Sequence, residues 1–146
     1  MKLVSSVFGH NSSIPAQYTC DGENVNPPLE ISDVPQNAKS LVLITDDPDA
    51  PAGLWVHWVV FNIDPKTNRI EEDSVPVGAV EGTTSFGSTG YGGPCPPSGS
   101  HRYFFKLYAL DSPLTLNSKA QKEAVEKVMK DHILAQSELI GIYRRT

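Results

Sequence analysis

The chain has 146 residues, 39% of them hydrophobic and 20% charged, with a formal net charge of −5 at pH 7. That length suits one domain over residues 1–146 with a proper hydrophobic core. An acidic chain with dispersed Lys and Arg has neither the basic stripe of a nucleic-acid binder nor a polybasic membrane anchor, and no apolar run approaches the ~20 residues of a transmembrane helix. Eleven glycines and twelve prolines, scattered without a period, point to a loop-rich fold rather than a helical bundle.

Residues 2–8 read as an edge strand. Residues 1–9 are too short for a secretory signal, so the expected compartment is a reducing cytoplasm, where Cys20 and Cys95 are thiols by default. Residues 10–28 are polar and turn-rich, too long for a simple connector, and such ordered loops often carry function. Residues 29–31 form a short strand and residues 34–37 a turn.

Two strong strands follow, at 41–45 and 55–63, both rich in β-branched and aromatic residues. Between them Pro48 and Pro51 fix φ and remove backbone donors, which makes Asp46-Asp47-Pro48-Asp49-Ala50-Pro51 a rigid turn. Strand alternation puts Leu41, Leu43, Thr45 and Asp47 on one side, and Trp55, His57, Val59, Phe61 and Ile63 on one side of the second run.

Residues 64–68 are a turn, and residues 75–80 a short strand kept near an edge by Pro76. Residues 85–100 (SFGSTGYGGPCPPSGS) hold the densest Gly and Pro in the chain. With Phe86, Tyr91 and Cys95 to bury, they form a fixed loop, and Pro96–Pro97 is a candidate cis bond. Residues 102–110 are the third strong strand, with Tyr103, Phe105, Leu107 and Ala109 on one face and His101 entering on that face. Then the period changes: Ala120, Ala124, Val125, Val128, Met129 and His132 predict an amphipathic helix of about four turns, capped by Asn117 or Ser118 and ending near Gln136. Residues 139–143 return as a last strand. The sum is a mainly β domain with one helix near the C-terminus.

Two loops stand out because they place polar groups at the ends of buried strands. One supplies Asp47, Asp49 and His57; the other supplies the Gly-rich turn, His101 and Tyr103. Taken singly these are ordinary: Asp-Pro initiates turns, and a lone His in an apolar strand is more often a satisfied core residue. Convergence at one sheet end would make them a binding site.

Asp47-Pro48-Asp49-Ala50-Pro51, the strand Trp55-Val56-His57-Trp58, and Tyr91-Gly92-Gly93-Pro94-Cys95-Pro96-Pro97 followed by SGSHRY together resemble the two signature regions of the phosphatidylethanolamine-binding protein family, which includes the Raf-kinase-inhibitor-like proteins. The upstream stretch CDGENVNPPL and the C-terminal DHILAQSELIGIY are similar to its compact bacterial and archaeal members. The resemblance implies a two-sheet β fold and a small anion pocket lined by Asp47, Asp49, His57, Gly93, Pro94, Pro96, Pro97, His101 and Tyr103. It implies a phosphate-bearing small ligand or lipid headgroup such as phosphorylethanolamine, no cofactor, no resident metal and no catalysis. By the same analogy a kinase or a peptidase is a conceivable protein target.

Physical chemistry agrees with the resemblance. Imidazole N–H groups and loop amides donate to phosphate oxygens, an Asp beside a His fixes its tautomer and favours its charged form, and a ligand ammonium can meet a carboxylate or the face of Trp55 or Tyr103. Binding an anion beside Asp47 and Asp49 is expected to be weak unless the histidines are protonated. The main alternative is a metal-dependent hydrolase or oxygenase built on the two Asp and two His, although no diagnostic ligand spacing occurs. Trp55, Trp58, Phe104 and Phe105 are expected to be core, and His10 and His132 to have no role. Cys20 lies in a loop that the family fold brings near Cys95; buried thiols are the expectation there, with a disulfide as the alternative.

Overall fold

The three strong strands become the centre of a six-stranded sheet. The structure, a computed structural model, describes residues 1–145. Its elements are β1 (Lys2–Val4), β2 (Ser12–Ser13), a single 3-10 turn (Ala16–Tyr18), β3 (Leu29–Ser32), β4 (Ser40–Asp47), β5 (Trp55–Ile63), β6 (Arg69–Ile70), β7 (Val80–Glu81), β8 (Ser100–Leu110), α1 (Lys122–Met129) and β9 (Ile133–Arg144). The large sheet runs β2-β9-β8-β4-β5-β7 and a small one β1-β3-β6. Pairing is antiparallel except where β2 lies parallel to β9.

Every residue of β4 is buried, as its near-continuous apolar run requires of a strand covered on both faces. On its inner face Leu41 and Leu43 join Trp58, Val60, Phe105 and Leu107, and the small sheet closes this core with Leu29 and Ile31. On its outer face Val42 and Ile44 join Val59 and Phe61 beneath Leu114, Val125 and Met129. The expected rows of β4 and β8 are therefore present.

The β5 row is different. Its pairing with β4 slips twice, so that Thr45 faces Trp58 while Asp46 faces Val56, and His57 is the extra residue between them. A bulge of this kind re-aims a side chain and shifts the alternation. Beyond it Trp58, Val60 and Ile63 face inward, whereas Val59 and Phe61, expected beside His57, face the helix. The second slip lies beside Asn62, which takes a left-handed φ of 56°.

Other boundaries moved as well. The helix is two turns rather than four: Ala120 sits in a turn closed on Asn117, Gln121 is the N-cap, and neither Asn117 nor Ser118 caps it. The Asn117 carboxamide instead accepts the Lys119 N–H. From Ile133, before the helix end expected near Gln136, the chain is strand and pairs along β8. His132 thus lies in the connecting turn, with Nδ1–H donating to Asp111 at 2.7 Å. The first strand stops at Val4, and the short strand expected at 75–80 is Val80–Glu81. No cis peptide occurs among the described residues, so Pro96–Pro97 holds the intrinsically favoured trans form. Among them, too, no helix is long and apolar enough to cross a membrane.

Candidate functional site

At one end of the large sheet the C-terminal end of β4, the start of β5 and the start of β8 lie side by side, and their loops enclose a pocket of about 320 Å³. Asp47, His57, His101 and Tyr103 line it from the strands; Ala50, Pro51, Ala52, Phe86, Cys95, Pro96 and Pro97 line it from the loops, with Trp55 at the mouth.

Asp47 and the two histidines on the wall are each held by their neighbours. His101 Nδ1–H donates to Asp47 Oδ2 at 2.6 Å, and the Asp49 backbone N–H donates to Asp47 Oδ1 at 2.7 Å, so both carboxylate oxygens are engaged. His57 Nδ1–H donates to the Gly92 carbonyl at 2.6 Å, and the Gly92 amide returns a bond to the His57 carbonyl. In both rings the hydrogen bond at Nδ1 fixes the tautomer and leaves Nε2 as the nitrogen available to a ligand. Burial, the largest influence on His57, holds its pKa below the usual histidine value, against the opposing pull of Gly92 and Asp47. The expectation of a charged imidazole therefore does not extend to His57.

Tyr103 lies edge-on to His57 and stacked along His101, with ring centroids at 5.2 and 6.3 Å. Its hydroxyl is 1% exposed with its side chain and meets no hydrogen-bond partner of acceptable geometry. Burial chiefly pushes its pKa up, with the Cys95 amide opposing, so the group stays a neutral phenol. An unpartnered buried hydroxyl costs about 1–3 kcal/mol, which a ligand oxygen would recover.

The remaining expected residues are placed differently. Asp49 is outside the lining: Arg102 donates to it from its backbone N, Nε and Nη2 at 2.9, 2.9 and 2.8 Å, and this guanidinium lowers its pKa to about 2. Gly93 and Pro94 face away from the pocket. Gly93 N–H donates to the Asn24 side chain, and a side chain at Gly93 would collide with Asn24, Tyr18 and Thr19. The Pro94 carbonyl accepts the Cys20 N–H, and Tyr91 Oη–H donates to the Tyr18 carbonyl.

These contacts bring Cys20 against Cys95, and the two are a disulfide rather than the expected thiols. Such bonds are ordinary in oxidising compartments and in the intracellular proteins of hyperthermophiles. The bridge fastens the wall formed by Cys95, Pro96 and Pro97 to the loop after the 3-10 turn.

Three aromatic residues are not where the sequence reading puts them: Phe104, expected in the core, is half-buried with Arg102 and Lys106 over its ring, and the other two lie at the pocket. Trp55, expected in the core, is 36% exposed because it is the first residue of β5 after the open turn; it packs edge-on to Phe86 at 5.4 Å. Phe86, not singled out as a site residue, reaches His57 at 5.5 Å. Its turn is pinned to β5 by Ser85, whose N–H donates to the Val56 carbonyl and whose hydroxyl accepts the Val56 N–H. An aromatic inside a Gly-rich loop was the available signal. Among the described residues no three His, Cys, Asp or Glu side chains converge as a metal-ligating group, so the metal-hydrolase alternative lacks its ligand set there.

Comparison with known proteins gives one consistent result. The family model described as phosphatidylethanolamine-binding protein matches residues 4–144. A UPF0098 protein of Methanothermobacter thermautotrophicus is 52% identical, over 99% of this chain and 99% of its own, and one of Pyrococcus horikoshii is 48% identical over 97% of this chain and 76% of its own. The crystal structure of a phosphatidylethanolamine-binding protein homologue from Chlamydia trachomatis superposes with a TM-score of 0.96 at 43% identity, covering 99% of this chain and 97% of that one. E. coli YbcL, described as a member of the mammalian family, gives 0.93 at 30% identity, covering 99% and 98%.

Proposed function

Starting from the fact that the chain belongs to the phosphatidylethanolamine-binding protein family, we propose that it is a binding protein whose pocket holds a phosphate-bearing small molecule of headgroup size, such as phosphorylethanolamine, without turning it over. The observation that carries the reading is the convergence of His57 Nε2, His101 Nε2 and the unpartnered Tyr103 hydroxyl in one pocket of about 320 Å³. A ligand ammonium would be met by the π face of Trp55 at the mouth or by the field of Asp47. The wall's one cysteine, Cys95, is bonded to Cys20 and so offers no thiolate nucleophile.

The test is calorimetric titration with phosphorylethanolamine and with inorganic phosphate. Wild type is expected to bind saturably. His57→Ala combined with His101→Ala is expected to lose binding while keeping the β-sheet circular-dichroism spectrum. Unchanged affinity in that folded double variant would sink the site assignment.

A protein target, whether a kinase or a peptidase, is the second reading. What favours it is the exposure of Trp55 and Phe86 at the pocket mouth, since aromatic residues are enriched in interface cores. Trp55→Ala should then weaken capture of that target beyond its effect on the small ligand.

A further inference from the structure

Resting on the reading that the pocket takes a phosphate-type anion, we propose that it selects the protonated, singly charged form of a phosphomonoester or phosphonate, whose P–OH donates to His57 Nε2. It then discriminates against dianions and against phosphodiesters, which have no acidic proton to give.

The argument begins with what is missing from the wall. No Lys or Arg lines the pocket. The nearest guanidinium in the sequence, Arg102, is spent on Asp49 through three bonds. A dianion against so apolar a wall needs fixed positive charge or several amide donors, and the loop supplies few amides. Pro51, Pro96 and Pro97 have no N–H, and the amides of Gly92 and Gly93 are taken by the His57 carbonyl and by Asn24, which leaves the Cys95 amide, beside the Tyr103 hydroxyl, as the donor of the Gly-Pro segment. The Asp47 carboxylate stands in the same wall and adds repulsion for each further negative charge.

What is present has the opposite polarity from an anion clamp. With Nδ1–H committed to the Gly92 carbonyl, His57 offers a lone pair at Nε2 as long as the ring is neutral. The groups that bear on this ring come from every element around it. Asp47 on β4 favours its charge, as do the carbonyls of Gly92 and Gly93; His101 on β8 opposes it; Tyr103 on β8 and Phe86 from the loop contribute neutral aromatic edges and faces. Burial outweighs the favourable contributions, so the neutral ring prevails. A ligand oxygen aimed at that lone pair must therefore carry a proton. The Tyr103 hydroxyl, a neutral buried donor without a partner, is suited to one of the unprotonated oxygens of the same group. One acceptor beside one or two donors is the pattern of a hydrogen phosphonate or phosphomonoester monoanion. Sites built to bond a ligand O–H reject analogues lacking it strongly, so discrimination of at least about tenfold is expected.

The experiment follows affinity against pH, by NMR titration of the intact protein, for methylphosphonate and for a fluorinated methylphosphonate whose second ionisation lies lower. Dimethyl phosphate and sulfate serve as probes without an ionisable proton in this range. Affinity for each phosphonate is expected to fall as that probe becomes a dianion, so the two midpoints separate by the difference in their own ionisations. Dimethyl phosphate and sulfate should bind at least about tenfold more weakly. His57→Gln, whose amide can donate as well as accept, should keep binding and flatten the preference. A midpoint shared by both phosphonates, equal binding of dimethyl phosphate, or a His57→Gln profile identical to wild type would overturn the inference alone. Absence of saturable binding by any probe at any pH would remove the anion-binding reading beneath it.

Discussion

Asp46 and Asp47 are neighbours in sequence, both buried near the end of β4, and the pleat sends them to opposite faces of one sheet. Asp46 faces the helix side, where Lys106 Nζ donates to Oδ2 at 3.0 Å and Oδ1 has no partner. Asp47 faces the pocket, where both oxygens are bonded and its His101 partner opens onto empty volume. Burial pushes the pKa of Asp46 up despite Lys106, which marks a carboxylate that costs stability when charged. The same residue type thus plays two parts: an imperfect structural ion pair on one face and the orienting group of a binding site on the other. What separates them is the space in front of the partner. A groove of about 380 Å³ does lie on the outer face, lined by Lys106, Tyr108, Gln136, Ser137 and Glu138, but there the cation is already paired.

Breaking the comparison on the pocket side should give the largest effect. Asp47→Ala leaves the buried His101 Nδ1–H without its acceptor, while the part-buried Asp49 N–H can turn to water. A loss of about 1–3 kcal/mol in urea denaturation is expected, together with at least a tenfold loss of phosphorylethanolamine affinity.

On the other face, Asp46→Asn should change stability by no more than about 1 kcal/mol and leave affinity untouched. Lys106 is partly exposed and can turn its ammonium to water, so no stranded charge results. The sign with pH follows from the raised pKa. In wild type, acidification through the folded-state pKa of Asp46 relieves the cost of the charged form, a relative gain that the Asn variant lacks.

The histidine next to the pocket gives a smaller, pH-resolved effect. The folded-state pKa of His57 is depressed, so its contribution is fully present above the unfolded value of about 6.5 and declines as pH falls through 6.5 towards the folded value. Denaturation midpoints should drop over that window in wild type, and less steeply in His57→Gln.

Asp49 marks the low end of the series. Its pair with Arg102 is largely exposed, so Asp49→Asn should cost less than about 1 kcal/mol at neutral pH. Because its folded pKa is lowered to about 2, that small contribution is present above the ordinary carboxylate range and is lost as pH falls through about 2.

Much of this was legible in the chain. The β-branched and aromatic runs of β4, β5 and β8 announce central strands, and the faces of β4 and β8 follow from simple alternation. The site loops are legible as motifs. What local pattern could not give depends on partners distant in sequence. The bulge at His57 breaks the β5 row because β4 fixes the register from outside, and it reverses the faces of Val59 and Phe61. Gly93 and Pro94 belong to the pocket loop by sequence but turn towards the 16–24 loop, and the Cys20–Cys95 bond follows from that docking. Residues 133–136, expected to be the end of the helix, become strand because β8 is there to pair with them.

The most direct test of the two-faced sheet is an NMR titration of the wild-type protein with phosphorylethanolamine at about pH 6, following backbone amides and the His57 and His101 ring signals. The account predicts saturable shifts at Asp47, His57, Cys95, His101 and Tyr103, with Asp46, Lys106 and Glu138 unmoved. Shifts centred on Lys106, Tyr108 and Glu138, with silent His57 and His101 rings, would contradict it and move the binding site to the opposite face.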